Sequence, residues 1–230
     1  HRGKVQKGWN GLITKESVRG NEQIAVYIRK ADESLQAMGY TEHSFAHVTR
    51  AANFAQNLLL DLGCAPRQAE LAWIAGYLHD IGNVINRIDH AQSGAIMAFR
   101  ILDKMGMDAE ELSTVISAIG NHDESTAYPV NEVAAALILA DKTDVRRTRV
   151  RNTDFASFDM HDRVNYAVVE TRTYLTPDKT ALVQEMTIDT QISPVMDYFE
   201  IFLDRMLLCR KAAERLGLTF RLRVNGQTLL

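Results

Sequence analysis

The chain predicts a mainly α fold with a small C-terminal β-β-α-β appendage, an α+β arrangement overall. Two observations carry this expectation. Between Ile24 and Thr148, apolar residues return every three or four positions, in runs separated by Gly, Pro and capping residues. After about Phe158 the pattern turns to alternation, broken by a segment of turn composition. With 230 residues, 46% of them hydrophobic, the chain is long enough to bury a true core.

Each element follows from local chemistry. Ile24 to Ala37 has helical periodicity and ends near Gly39, after which Thr41 is positioned to cap a second helix running to about Asp61. Gly63 closes that helix, and Pro66 suits the first turn of the next. There Leu71, Ile74, Ala75 and Leu78 share one face until Gly82 interrupts them, which puts His79 and Asp80 at a helix C-terminus. Helices from about His90 to Lys104 and from about Ala109 to Gly120 flank Met105-Gly-Met107. Another is expected from Asn131 to about Thr148, with Ala134 to Ala140 as its buried portion. Val164, Tyr166 and Val168 then alternate as a strand, Thr176 to Lys179 make a turn, and Ala181 to Ile188 return. Val195 to Leu216 is strongly amphipathic and stopped by Gly217, and Leu218 to Val224 alternate in a last strand. The expected division is a helical metal-binding domain over 1–160 and a small α/β appendage over 161–230, the latter with a packing role. The stripe Tyr198, Phe199, Phe202, Met206, Cys209 and Ala213 is too wide to leave in water. It belongs in the core or, as the second choice, in a homodimer contact.

Bulk properties exclude several classes of function. No apolar run spans a bilayer and no signal-peptide pattern is visible, so no membrane partner is expected and the cytoplasm is the default compartment. Cys64 and Cys209 are far apart and form no CxxC pair, which excludes a disulfide framework and a thiolate zinc site. A net charge of -3 argues against nucleic acid as a partner. An anionic ligand must instead meet a local basic cluster. His1 carries no functional weight, and His161 is expected to be an ordinary surface histidine.

Chemistry concentrates in five short segments: His47-Val-Thr-Arg50, Leu78-His-Asp-Ile-Gly82, His90-Ala-Gln-Ser-Gly94, Asn121-His-Asp-Glu124 and Leu139-Ala-Asp-Lys142. They supply six side chains suited to divalent ions, His47, His79, Asp80, His90, His122 and Asp141, each at or near a helix end. Imidazole with carboxylate and no thiolate suits Mn, Fe, Co, Ni or Mg, with Zn also admissible. Gly94, one turn past His90, would allow close approach of a neighbouring helix. His43, one turn before His47, faces the same way and is a candidate substrate contact.

In order and context, these segments from about Thr41 to Arg151 resemble the metal-binding motifs of the HD superfamily of phosphohydrolases. The resemblance implies an HD-type helical bundle. It also implies a minimal one-ion set of His47, His79, Asp80 and Asp141, with His90 and His122 at positions that some relatives use for a second ion. A bridging ligand would be Asp80, since a carboxylate offers two oxygens. The expected cofactor is one or two divalent ions. The expected activity is hydrolysis of a phosphate ester or anhydride in a nucleotide or other small phosphorylated substrate by metal-activated water. In it Asp80 handles the water, while Arg50 and Arg146 are candidate phosphate clamps. Lys142, Arg146, Arg87 and His43 are candidate substrate contacts. Asn83 departs from a common family pattern in which lysine follows the glycine of His-Asp-x-Gly, and Arg87, one helical turn further on, is the available replacement. Asp123 and Glu124 are candidates for the leaving-group acid. Asn121 stands where the HD-GYP phosphodiesterases have a histidine, no Gly-Tyr-Pro follows, and the acidic pair of the (p)ppGpp hydrolases is missing after Gly82. Both of those activities are therefore disfavoured. The alternative is a non-catalytic metal- and nucleotide-binding regulatory protein on the same scaffold.

Overall fold

The structure is a computed structural model and describes residues 11–229. His1 and the outermost positions of the two expected domains lie outside the described residues. Seven helices precede the sheet-bearing part: α1 Lys15–Arg19, α2 Glu22–Ala37, α3 Phe45–Asp61, α4 Pro66–Leu78, α5 His90–Met105, α6 Ala109–Gly120 and α7 Glu132–Lys142. Then come α8 Met160–Ala167, β1 Val168–Leu175, β2 Ala181–Ile188, α9 Val195–Arg215, β3 Thr219–Val224 and β4 Gln227–Thr228. None of the helices among the described residues is long and apolar enough to cross a membrane.

Local side chains set most helix starts. Asn21, Asp108, Asn131 and Asp159 each accept a hydrogen bond from a backbone N–H in the first turn of the helix they open. Thr41 does not act as a cap. Ser44 does so in its place, its hydroxyl accepting from the Ala46 N–H at 3.2 Å, while the Thr41 carbonyl accepts from the His43 ring. Pro66 takes the first turn of α4 as its fixed φ dictates.

Helix α7 is the axis of the molecule, buried from Val133 to Lys142. Helices α3, α4 and α6 pack on it from one side and α9 from another. Helices α3 and α4 approach closely because Gly76 lies against Ala51 and Ala52, where an added Cβ would stand 2.8 Å from the Ala52 Cα. That contact fixes the spacing between the helices carrying His47 and His79.

Two expectations need correction. Helix α7 stops at Lys142 instead of continuing to about Thr148, and Arg147–Arg149 form a 3₁₀ turn. The Thr143 N–H still makes its helical bond to the Leu139 carbonyl, but the Asp144 N–H turns back to the Asp141 carbonyl at 3.2 Å and the Val145 N–H to that of Thr143 at 3.0 Å, which ends the ladder, and the Arg149 guanidinium takes the Asp144 carbonyl at 2.9 Å. Val164 and Tyr166 belong to helix α8, not to a strand. Val164 and Ala167 are one turn apart and both buried, so the same residues satisfy a short helix capped by Asp159.

The hairpin and the crossover are as expected. Strands β1 and β2 pair antiparallel, and α9 connects β2 to a parallel β3. Beyond the expected elements, β3 turns through Asn225-Gly226, both at positive φ, into β4, giving the sheet order β1-β2-β3-β4. Tyr198, Phe202, Met206, Cys209 and Ala213 of α9 are buried and Phe199 is half-buried, so the apolar stripe lies inside the chain's own core.

Candidate metal centre

Five helix ends converge on one point. His47 is in the first turn of α3, His79 follows α4 directly, His90 opens α5, His122 comes just after α6, and Asp141 is in the last turn of α7. With Asp80, all six side chains predicted from sequence are buried and gathered together. The His47 Nε2 lies 3.2 Å from Asp141 Oδ1 and 3.5 Å from Asp80 Oδ2; the His79 Nε2 lies 3.2 Å from Asp80 Oδ2 and 3.6 Å from Asp141 Oδ1. Asp80 turns its other oxygen toward the His90 Nε2 at 3.7 Å. Its two oxygens therefore face two groups of donors.

The orientation of each imidazole is decided by its other nitrogen. The Nδ1 of His79, His90 and His122 faces the carbonyl of Gly76, Arg87 and Ile119 at 2.7, 3.0 and 2.6 Å, and that of His47 faces Asp144 Oδ2 at 2.8 Å. A carbonyl or carboxylate oxygen only accepts, so Nδ1 carries the proton and the neutral ring presents a lone pair at Nε2. His47 Nε2, His79 Nε2 and Asp80 Oδ2 are buried and have no hydrogen-bond partner. Buried polar atoms are normally paired, so three orphans aimed at one point mark the place of a cation. Two triads are compact enough to hold an ion: His47, His79 and Asp141, and His79, Asp80 and His122. His90 and His122 bring their Nε2 atoms to 3.2 Å, two lone pairs face to face unless a proton or an ion lies between them. These nitrogen and oxygen donors fit a divalent ion of the transition series or Mg²⁺.

Electrostatics agree with the geometry. Burial alone would lower the His79 pKa, yet Asp80 and Asp141 raise it to about 10. Burial would raise both carboxyls, but His79 holds Asp80, and Lys142 holds Asp141, well below the usual carboxylate range. His122 is pushed down to about 3, mainly by burial and secondly by His79 and Lys142. The centre thus holds two ionised carboxylates, and the proton they keep on His79 is the one that a bound cation would displace, since a ligating imidazole must be neutral.

Backbone contact positions the second histidine pair. A Cβ on Gly82 would collide with the His90 carbonyl and stand 2.5 Å from the Gly94 nitrogen, so α5 can dock against the 3₁₀ turn Ile81–Val84 only because position 82 is glycine. Gly94 contributes as expected, with its own added Cβ 3.3 Å from the Gly82 nitrogen and the His79 carbonyl. Asn83 stands fully buried where lysine was expected, and its amide donates to the Asp80 backbone carbonyl and to Asp80 Oδ1 at 2.9 and 3.0 Å. It orients the carboxylate without adding charge.

Three of the donors, Asp80, His90 and Asp141, line a cavity of about 410 Å³, whose walls include Tyr40, His43, Arg87, Lys142, Arg149 and Arg205. The Lys142 Nζ lies 2.7 Å from Asp141 Oδ2 and 3.2 Å from Glu124 Oε2. Arg87 places one guanidinium nitrogen 3.4 Å from the His90 Nε2, so the charge absent at position 83 is available one turn later. Arg50 and Arg146, expected as phosphate clamps, are not in this cavity. Arg146 grips both oxygens of Asp144 at 2.5 and 3.0 Å, and Arg50 is largely exposed, 3.9 Å from the same carboxylate. Both approach Asp144, on the Nδ1 side of His47: Arg146 is turned there by the chain leaving α7 at Lys142, and Arg50 by its place on α3, three positions beyond His47. Glu124 is not suited to proton donation. Although burial would raise its carboxyl, Lys142 and Arg205 hold it well below the usual range.

Four residues outside the predicted set take part. Asp144, which orients His47, is only three positions beyond Asp141; nothing but the chain reversal after Lys142 points its carboxylate to that ring. Arg149 is buried and lines the cavity. Arg205 of α9 reaches the wall with its guanidinium 4.3 Å from the Phe202 ring, and His161 of α8 is exposed but stands on the rim. The C-terminal segment therefore does more than pack: it supplies part of the cavity.

Residues 44–146 match the HD domain family. Among solved structures the chain is similar to a predicted HD superfamily hydrolase from an uncultured Thermotogales bacterium, with 26% identity, a TM-score of 0.42, and coverage of 54% of this chain and 67% of that one. No curated protein matches.

Proposed function

Because residues 44–146 form an HD domain, we propose that the protein is a metal-dependent phosphohydrolase acting on a nucleotide or another small phosphorylated substrate. The observation that carries the reading is the convergence of three unpartnered buried atoms, on His47, His79 and Asp80, of which Asp80 also lines a cavity with cationic walls. His47, His79, Asp80 and Asp141 would hold one divalent ion, and His90 with His122 and the second oxygen of Asp80 a further one. When bound, such ions polarise a phosphoryl oxygen and make water acidic enough to attack at neutral pH.

The chain's own residues prepare that reaction. Asp80, steadied by Asn83, keeps both oxygens directed into the centre. Arg87 and Lys142 line the cavity beside the donors and are the cations for the phosphate, and Arg205 and Arg149 add positive charge to the same lining. Burial removes competing water, which strengthens each of these charge contacts. His43, whose ring packs edge-on against His47 at 5.5 Å, lines the cavity as well.

The test is a panel of nucleoside mono- and polyphosphates, sugar phosphates and an aryl phosphate, assayed with added Mn²⁺, Fe²⁺, Co²⁺, Ni²⁺, Mg²⁺ or Zn²⁺. Turnover should require the ion, stop with a chelator and disappear in Asp80→Ala. Tight nucleotide binding with no turnover under any ion would replace this reading by the non-catalytic one.

A further inference from the structure

Arg50 and Arg146 look outward from the back of the metal centre onto a second cavity, of about 310 Å³, whose lining also includes Phe54, Asp144, Thr171 and Thr173. It shares no lining residue with the first. The Arg146 guanidinium donates to both oxygens of the Asp144 carboxylate, and its remaining terminal nitrogen donates to the Thr148 hydroxyl at 3.1 Å. Arg50 is differently placed. Its side chain is 59% exposed, and its one carboxylate neighbour among the described residues is Asp144 at 3.9 Å, a separation at which an exposed pair is worth little. A third arginine on the lining, Arg172, is already committed to Glu185 at 2.8 Å.

The decisive feature is on β1. The Thr171 hydroxyl is buried and has no hydrogen-bond partner, although a hydroxyl can both donate and accept. Buried hydroxyls are rarely left so, and this one lines the same cavity as the uncommitted Arg50. A partner for both must accept hydrogen bonds and carry negative charge. We propose that this cavity is a binding site for the phosphate group of a small molecule, separate from the metal centre and held by Arg50, Arg146 and the Thr171 hydroxyl. The cavity exceeds the size of a bare phosphate, and Phe54 and Ala140 give it an apolar side, so a small phosphomonoester fits better than the free ion. The proposal does not depend on catalysis at the metal centre.

Titration calorimetry of the metal-free protein with inorganic phosphate, then with glycerol 3-phosphate, tests it. Two classes of site are expected in the wild type. Arg50→Glu should remove one class, and Arg87→Glu, in the metal cavity, should remove the other. Thr171→Val keeps the shape of the side chain and should weaken the Arg50-dependent class about three- to tenfold, the loss of one hydrogen bond; it carries the test even if Arg50→Glu folds poorly. Tighter binding of glycerol 3-phosphate assigns a phosphomonoester, and equal binding assigns free phosphate, both in support. Isotherms of Arg50→Glu and Thr171→Val that match the wild type, with all binding lost in Arg87→Glu, would overturn the proposal.

Discussion

At the scale of single residues, the metal centre depends on what fixes each imidazole. Asp144 is the acceptor for His47 Nδ1, so Asp144→Ala leaves that ring free to turn and its Nε2 no longer directed at Asp80 and Asp141. Removing such an orienting partner typically costs about 10–100-fold in metal affinity. Metal titration of Asp144→Ala should show a loss of that order with the fold retained by circular dichroism, and Asp144→Asn, which keeps one acceptor oxygen, should recover part of it. Unchanged affinity in Asp144→Ala would show that α3 packing alone positions His47. Glu124 gives a second prediction. Its folded pKa is depressed, against burial, by Lys142 and Arg205, from an ordinary value of 4.5. A carboxyl depressed in the folded state contributes its full stability above about pH 4.5 and loses it as pH falls toward the folded value. The melting temperature of the wild type should therefore drop more steeply below about pH 4.5 than that of Glu124→Gln, which should already be the less stable at pH 7.

At the scale of elements, the contact between α5 and the turn Ile81–Val84 decides whether His90 reaches the centre. An added methyl at Gly82 meets backbone atoms of His90 and Gly94, which cannot rotate away. Overpacking of this kind costs about 1–3 kcal/mol or more. Gly82→Ala should lower stability in chemical denaturation by at least that amount. It should also displace His90, and with it any second ion, before His47 and His79 are disturbed. Metal stoichiometry equal to the wild type in a folded Gly82→Ala protein would contradict this account. The close approach of α3 and α4 at Gly76 works in the same way for the first pair of histidines.

At the scale of the whole molecule, α9 ties the sheet to the helical bundle. Tyr198 and Phe202 are 1% and 4% exposed and belong to the same core as α7. Tyr198→Asp or Phe202→Asp should therefore cost several kcal/mol through an unpaired buried charge. Because the stripe is covered by the chain's own core, the melting temperature should not depend on protein concentration, as it would if a second copy completed it. Since Arg205 lies on the same helix and lines the cavity, partial loosening of α9 should reduce ligand binding in the cavity before global unfolding is complete.

The sequence by itself determined the helical class, the hairpin and crossover after Leu175, and the six side chains that meet at the centre. Each of those rests on local chemistry: apolar periodicity, caps, and motifs a few residues long. Only the tertiary structure decided which basic residues face the cavity. Arg146 sits beside the right motif yet points behind it, because the chain leaves α7 after Lys142, where the Asp144 N–H turns back to the Asp141 carbonyl, and Arg50 looks toward Asp144 from α3. It also brought Asp144 to His47 and Arg205 to Glu124, pairs 97 and 81 residues apart, and no local pattern encodes contacts at such separations. A motif names the atoms that can bind an ion; the direction of the chain leaving it, set by packing, chooses what else stands around that ion.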